Sequence, residues 1–449
     1  MTKTTVLSNM RLFVVWTPEA PLLNIHGPHN CVFPRIILTF WNKYLMIIGH
    51  AEIPCHTEAI RLLQSDDIQA RLLQRNVDEL PAILDEIEAE WAALETGDLG
   101  TSSFAKGGVV HAIAALRIAT LEARAVSRGI SVVTLLDEEL GGRQHETTDF
   151  LAYGFMVADA SRLKLPYPTS PDESQESWKY WRTAPATCVN TVVKQAGVMM
   201  RQIGASDFKL KGGVFSPQNE LKIMKALREA YPNARLDLDP NAGWTMEEAH
   251  SVLPELKQVL TYIEDPVKGR QNMYELLQLY GLPSATNMCI RSRQELELAV
   301  AEGKLPVSIL LMDAHYWRGV EATIAAAKYG AEHGLTIGTH SNSHLGHSLM
   351  VMAVTGLYFQ NRVPLDTHYP WVNPAHEVWK HVPLFDGGRI VIDTTRPGFG
   401  IALNTDAALA SVSLEQFGDL DRNDQRIMQL LYPDWVEQPG RWLFSGLDE

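Results

Sequence analysis

Cysteine is scarce: four residues in 449, Cys31, Cys55, Cys188 and Cys289, with no CxxC pair and no zinc-type spacing. That excludes a disulfide framework and a thiolate metal centre, and it fits reduced thiols in a cytoplasmic protein. Positive charge is not in excess either. A net charge of −14 argues against nucleic acid or an anionic membrane surface as a partner, while leaving room for a small anion wherever basic groups are concentrated. No apolar run is long enough to span a bilayer. The most apolar early stretch, "CVFPRIILTFWNKYLMIIGHAEIP", is broken by Arg35, Asn42 and Lys43 and reads as a hairpin turning at "WNK". The N-terminus lacks the apolar core and cleavage site of a secretion signal. Low-complexity segments and Pro/Ser-rich linkers are missing too, so the tail is expected to pack back on the rest.

What the chain does have is alternation. Up to about residue 145 the pattern is mixed, with helical spacing near 81–95 and again over 108–129, where His111 reads as a core or interface histidine. From about residue 149, short β-rich runs alternate with helix-patterned segments. The runs are "DFLAYGFMV", "DFKLK", "RLDLD", "TYIED", "SATNM", "SILLMD", "LTIGTH" and "VPLDTH". Eight strand–helix units predict an α/β chain folded as a (β/α)₈ barrel.

The ends of those strands carry the functional signal. Lys211, Asp239, Glu264, Asn287, Asp313, His340 and His368 stand at or beside them, separated by 28, 25, 23, 26, 27 and 28 residues. Each interval is about one barrel unit, and the C-terminal ends of barrel strands are where such folds place their chemistry. Asp239, Glu264 and Asn287 are three oxygen donors on three consecutive strands, a set that suits magnesium better than zinc. The alternative, a hydrogen-bonded acidic cluster, leaves two carboxylates repelling each other. Asp313 beside His340 reads as a carboxylate orienting a general base. In "DFKLKGG", Lys209 and Lys211 share one strand face, and adjacent ammonium groups are expected to depress each other's pKa. A metal between a lysine and a histidine suits removal of a proton next to a carboxylate, with the metal stabilising the ene-diolate. No glycine-rich phosphate cradle follows the seventh or eighth run, so a phosphorylated substrate is disfavoured.

In these stretches the chain resembles the enolase superfamily, and within it the glucarate dehydratase branch. The resemblance is carried by "DFKLKGG", "LDPNAGW", "IEDP", "LPSATNM", "MDAHYW", "THSNSH", "LDTHYPW" and "RPGFG". It extends more weakly from "LLNIHGPH" to "DRNDQ" and "YPDW". It implies an α+β capping domain built from residues 1–145 and 398–449 over a catalytic barrel at 146–397. It implies magnesium on Asp239, Glu264 and Asn287, and Lys211 as one acid/base with Lys209 assisting. His340, paired with Asp313, is the other. The implied reaction is dehydration of a dianionic sugar acid, D-glucarate or its epimer L-idarate, to a keto-deoxy acid. The implied substrate contacts are Asn24, His29, Ser103, Phe104, Tyr153, Phe155, Asn241, His368 and Arg422. Tyr153 and Phe155 are two apart and share a strand face, where barrel packing alone would also place them. Arg422 suits a distal carboxylate by its bidentate geometry.

Three departures stand out. Ser103–Phe104 replaces a threonine–phenylalanine pair, "DPNAGW" replaces "DPNGAW", and "VKGRQN" after "IEDP" is shorter than in close members. None touches the metal set, the lysines or the Asp313–His340 pair, so the reaction is better specified than the substrate. Dehydration or racemisation of another acid sugar, such as galactarate or an aldonate, is the main alternative, and a non-catalytic paralogue is a weaker one. The sequence leaves room for a homo-oligomer.

Overall fold

The computed structural model describes residues 5–15, 19–25, 27–29, 34–91, 107–159, 174–341, 345–383 and 385–411. The "WNK" hairpin is present. Strands β1 (Asn9–Val15), β4 (Arg35–Trp41) and β5 (Ile47–Pro54) form an antiparallel sheet in the order β1-β4-β5. Between β1 and β4 the chain makes a small hairpin of β2 (Leu22–Asn24) and β3 (Gly27–His29). Helices α1 (Thr57–Leu63), α2 (Asp66–Leu72), α3 (Leu80–Trp91), α4 (Gly107–Arg128) and α5 (Val132–Leu140) complete this N-terminal unit. The long α4 buries a run of Ala, Ile and Leu against the sheet, with Ala119 backbone so close to Gly49 that a methyl group there would clash at 2.2 Å. His111, on α4, stacks on His56 at 4.6 Å and meets the Tyr316 ring at 4.7 Å, an interface histidine as expected.

After a short strand β6 (Thr147–Asp149), the barrel follows. Its strands are β7 (Ala152–Gly154), β8 (Asp207–Lys211), β9 (Arg235–Asp239), β10 (Tyr262–Glu264), β11 (Ser284–Thr286), β12 (Ile309–Met312), β13 (Thr336–Ser341) and β14 (Asp366–Thr367). They pair in parallel in sequence order. A parallel bridge between Phe150 and Leu365, with Leu151 N donating to Leu365 O at 3.1 Å, brings the first strand back to the last. The first and eighth runs are shorter than their sequence patterns suggested, because this seam is made by single bridges rather than a full ladder. Helices α6 (Trp178–Trp181), α7 (Val189–Ile203), α8 (Pro217–Ala230), α9 (Met246–Leu256), α10 (Arg270–Tyr280), α11 (Arg293–Ala301), α12 (Val320–Glu332) and α13 (Gly346–Gly356) lie between successive strands.

Strand alternation sorts the side chains. Phe208, Leu210, Leu236 and Leu238 turn outward into the apolar layer shared with the helices. Lys209, Lys211, Asp237 and Asp239 turn inward, which is how a barrel with an apolar jacket comes to hold a charged axis. Among the described residues no helix is long and apolar enough to cross a membrane.

Candidate active site

The two lysines of β8 meet different partners. Lys209 is fully buried, and its ammonium donates to Glu264 Oε2 and, at 2.5 Å, to Asp366 Oδ2, with Asp239 Oδ2 at 3.6 Å. It also lies 4.5 Å from the centre of the Tyr153 ring, its register partner on β7. Burial alone would lower its pKa, but the carboxylates of Asp366 and Glu264 outweigh burial and hold it well above the ordinary lysine value. The sequence expectation of mutual depression fails for Lys209, because the Asp366, Glu264 and Asp239 carboxylates hold its charged form. Lys211 donates to Asp239 Oδ2 at 2.6 Å and Asn241 Oδ1 at 2.9 Å, which aims it at the barrel mouth. Asn241 and Ala242 both sit at positive φ, 55° and 57°, so the loop after β9 is folded tightly around that lysine.

The glycines after Lys211 have definite work. A methyl group on Gly212 would lie 2.8 Å from Glu220 Oε2, and Glu220 Oε1 accepts from Val214 N and Phe215 N. Gly213 has φ +77° and would place a methyl group 2.8 Å from Pro240 O and 3.1 Å from Ile25 Cβ. The β2–β3 hairpin therefore rests on this turn, and Ile25 also abuts Gly243. Asn24, on the hairpin, is buried, and its Oδ1 accepts from Ile25 N at 2.6 Å. His29 ends β3 opposite Leu22; its side chain, like Ser103, Phe104 and Arg422, lies outside the described residues.

The acid partnering of His340 differs from the sequence expectation. Parallel pairing sets His340 opposite Asp366 on β14, and His340 Nδ1 hydrogen-bonds Asp366 Oδ1. Burial pulls the imidazole pKa down, but the Asp366 charge and hydrogen bond win, and the net shift is upward. Asp313 instead curls back on its own strand end, accepting from His315 N at 2.8 Å and facing His315 Nδ1 at 2.5 Å. Among the described residues His340 Nδ1 therefore meets Asp366, where the sequence expectation set Asp313 beside it. Asp366 is legible in "LDTH", two residues before His368 at the end of the eighth run. His368 is buried, with its ring 4.8 Å from those of both Tyr153 and Phe155, which are 4.6 Å apart. The three rings form one wall beside the charged cluster.

The donor set fits a hard cation. Glu264 Oε1 is buried with no hydrogen-bond partner among the described residues, and burial plus the nearby Asp239 charge raises its carboxyl to about 7. Such an acid is one that a cation would return to the ionised form. Asp239, also buried, is instead held below its ordinary value; burial opposes this, and Lys211 and Lys209 prevail. Asn287 is half-buried, and its backbone N–H donates to Asp265 Oδ2 at 3.0 Å, while Asp265 Oδ1 accepts from Thr286 Oγ1 at 2.5 Å. Asp265, which the sequence reading passed over, thereby fixes the turn that presents Asn287. One atom each of Glu264, His340 and Asp366 also lie within 4.8 Å of one another. His340 Nδ1 is engaged with Asp366, and the all-oxygen set of Asp239, Glu264 and Asn287 suits magnesium better. A cleft of about 190 Å³ opens beside Asp265 and Ala242; Lys268 and Arg270 of the short "VKGRQN" segment line it. Asp237 lies below the cluster, both its oxygens without hydrogen-bond partners among the described residues, and burial pushes its pKa well up.

Comparison with known proteins agrees with this architecture. The family profile described as Enolase C-terminal domain-like matches residues 191–407. A protein of Streptomyces coelicolor named probable glucarate dehydratase is 31% identical over 97% of this chain and 98% of its own length. An enolase of Pseudomonas fluorescens, crystallised with magnesium, potassium and tartrate, superposes with a TM-score of 0.83 at 31% identity, covering 98% of this chain and 100% of that one. Another, from Thermobispora bispora with magnesium and formate, gives 0.81 at 29% identity, covering 97% and 100%. With a relative this similar along nearly its whole length, and with this barrel and cap, the chain belongs to the enolase superfamily.

Proposed function

We propose that the protein is a magnesium-dependent dehydratase of a six-carbon aldarate, with D-glucarate and its epimer L-idarate as substrates. The observation that carries this reading is the strand-end arrangement. Lys211 on β8 and His340 on β13 are separate basic groups, held by separate acids, on strands well apart around the ring, with Asp239 and Glu264 on strands between them. Asp239, Glu264 and Asn287 would hold magnesium, which when bound supplies the positive charge that stabilises an ene-diolate. Everything else is done by the chain. Asp366 holds the His340 imidazole through Nδ1, and the oriented ring takes the proton alpha to a carboxylate and then protonates the departing β-hydroxyl. Lys211, braced by Asp239 and Asn241, serves the opposite face of the carbon, so that either epimer can be deprotonated. Lys209 is a fixed cation rather than a base, since its pKa is raised. Asn24, Asn241 and His368, with the Tyr153–Phe155 wall, border the substrate, and the hairpin seated on Gly213 excludes water.

The probable glucarate dehydratase at 31% identity and the tartrate-bound neighbour, tartrate being a small hydroxy-diacid, support this reading. The test is incubation with magnesium and a panel of aldarates and aldonates, with keto acids detected by semicarbazide. Turnover of D-glucarate and L-idarate is expected. If both stay unchanged while galactarate or an aldonate is consumed, the substrate assignment is wrong.

A further inference from the structure

The β2–β3 hairpin and the start of α13, the helix that follows the His340 strand, are joined by a chain of buried charged groups that the reaction itself does not use. The hairpin of β2 and β3 hangs between residue 19 and residue 35. Those two residues are Glu19 and Arg35, both about 1% exposed at the side chain, with Arg35 Nη2 donating to Glu19 Oε1 at 3.2 Å. The ion pair therefore closes the stem of the lid. Arg35 Nε also lies 4.0 Å from Oε1 of Glu52, a fully buried carboxylate on β5. Glu52 in turn reaches across from the N-terminal unit to the barrel. Its Oε1 accepts from Leu345 N at 3.2 Å and its Oε2 from Trp379 Nε1 at 3.1 Å. Leu345 is the N-cap of α13, the eleven-residue helix that begins just beyond the His340 strand end. Glu377 completes the clamp, with Oε2 accepting from Gly346 N at 3.1 Å and Oε1 from Trp379 N at 2.9 Å.

Helix N-termini carry unsatisfied N–H groups and partial positive charge, so a carboxylate there fixes the helix start in position. What is unusual here is its source. One carboxylate comes from the capping sheet, 293 residues away in sequence, and it is tied through Arg35 to the lid stem.

We propose that Glu52 is a positioning residue that couples the lid to the base, so that seating the β2–β3 hairpin and placing His340 are one event. This rests on the assignment of His340 as a base, but the coupling itself can be tested without substrate. The experiment is amide hydrogen exchange, read by mass spectrometry, on the wild-type protein and the variants Glu19→Gln and Glu52→Gln. Both variants keep the side-chain shape and replace the carboxyl group by a neutral amide. Loss of a charge-assisted contact is expected to raise exchange about tenfold or more, and in both variants at both ends of this network: the β2–β3 hairpin and the start of α13. Loosening confined to the lid in Glu19→Gln, or to α13 in Glu52→Gln, overturns the coupling.

A second readout separates positioning from general destabilisation. In D₂O, Glu52→Gln should slow exchange of the alpha proton about tenfold for the epimer that His340 deprotonates, and spare the epimer that Lys211 deprotonates. Equal slowing of both contradicts a positioning role. If the amide data show coupling while both diacids are inert in the wild type, the function assigned to the site fails and the coupling stands.

Discussion

Replacing Asp366 by Asn removes one charge from the most crowded point of the site. The carboxylate is 2% exposed and accepts from both His340 Nδ1 and Lys209 Nζ. Two losses follow, and they can be measured separately. Lys209 has no solvent access and keeps Glu264 as a close partner. Breaking a buried ion pair from one side costs about 3–5 kcal/mol, and the surviving partner puts this case near the lower figure. For the reaction, the imidazole loses the acceptor that fixes its tautomer. A general base contributes about 10²–10⁴ in rate, so kcat of D366N should fall about 100-fold or more with KM little changed. The matching variant D313N removes a carboxylate that faces His315, and its kcat should fall clearly less. The assay is semicarbazide detection of keto acid at saturating magnesium, with urea unfolding of the same preparations. If D313N is the more damaged of the two, or if D366N keeps wild-type kcat, Asp366 is not the partner on which His340 depends.

The pH dependence of that step has a defined sign. As the proposed base, His340 must be neutral to accept a proton, and its pKa is raised above 6.5, so the acid limb of kcat/KM should lie above that value; in D366N, where burial acts without the acid, the limb moves to lower pH. Burial holds the Glu220 carboxyl up to about 8, so the folded form keeps a proton that the unfolded chain releases above about 4.5. This group's contribution to stability is full below pH 4.5 and is lost as pH rises toward 8. Relative to wild type, E220Q should therefore gain stability between pH 5 and 8, by up to about 1.4 kcal/mol per unit; a flat difference in urea unfolding refutes the assignment. G213A forces a β-carbon into a left-handed backbone against Pro240 O, and should lose about 1–2 kcal/mol or more together with activity, because the same turn seats the lid and follows Lys211. Chelation should abolish turnover and magnesium restore it, and E264Q should weaken magnesium binding in calorimetry; unaltered binding removes Glu264 from the ligand set.

Much of this was legible because barrel strands report themselves twice, through period-two alternation and through a regular interval. "DFKLK" and "RLDLD" became β8 and β9 with the residues expected. Lys211, Asp239, Glu264 and His340 stand at strand ends as the 23–28-residue spacing required. What the sequence could not convey was which acid serves which base. Asp313 and Asp366 are both one strand away from His340, on either side of it. The outcome depends on Asp313 turning to the N–H two residues ahead, a local hydrogen bond that competes with the cross-strand one. The opposite pKa shift of Lys209 has the same origin, since three carboxylates from three other strands converge on it. The Glu19–Arg35–Glu52 chain was equally silent, because its members belong to different elements and only the tertiary fold brings them together.

The central claim, that two bases flank one carbon, is tested most directly by hydrogen isotope exchange in D₂O with magnesium and each epimer, D-glucarate and L-idarate. The wild type should label and dehydrate both. H340N and K211A should each abolish alpha-proton exchange with one epimer, and with opposite preference. Loss of exchange with the same epimer in both variants, or exchange that survives in both, contradicts the account.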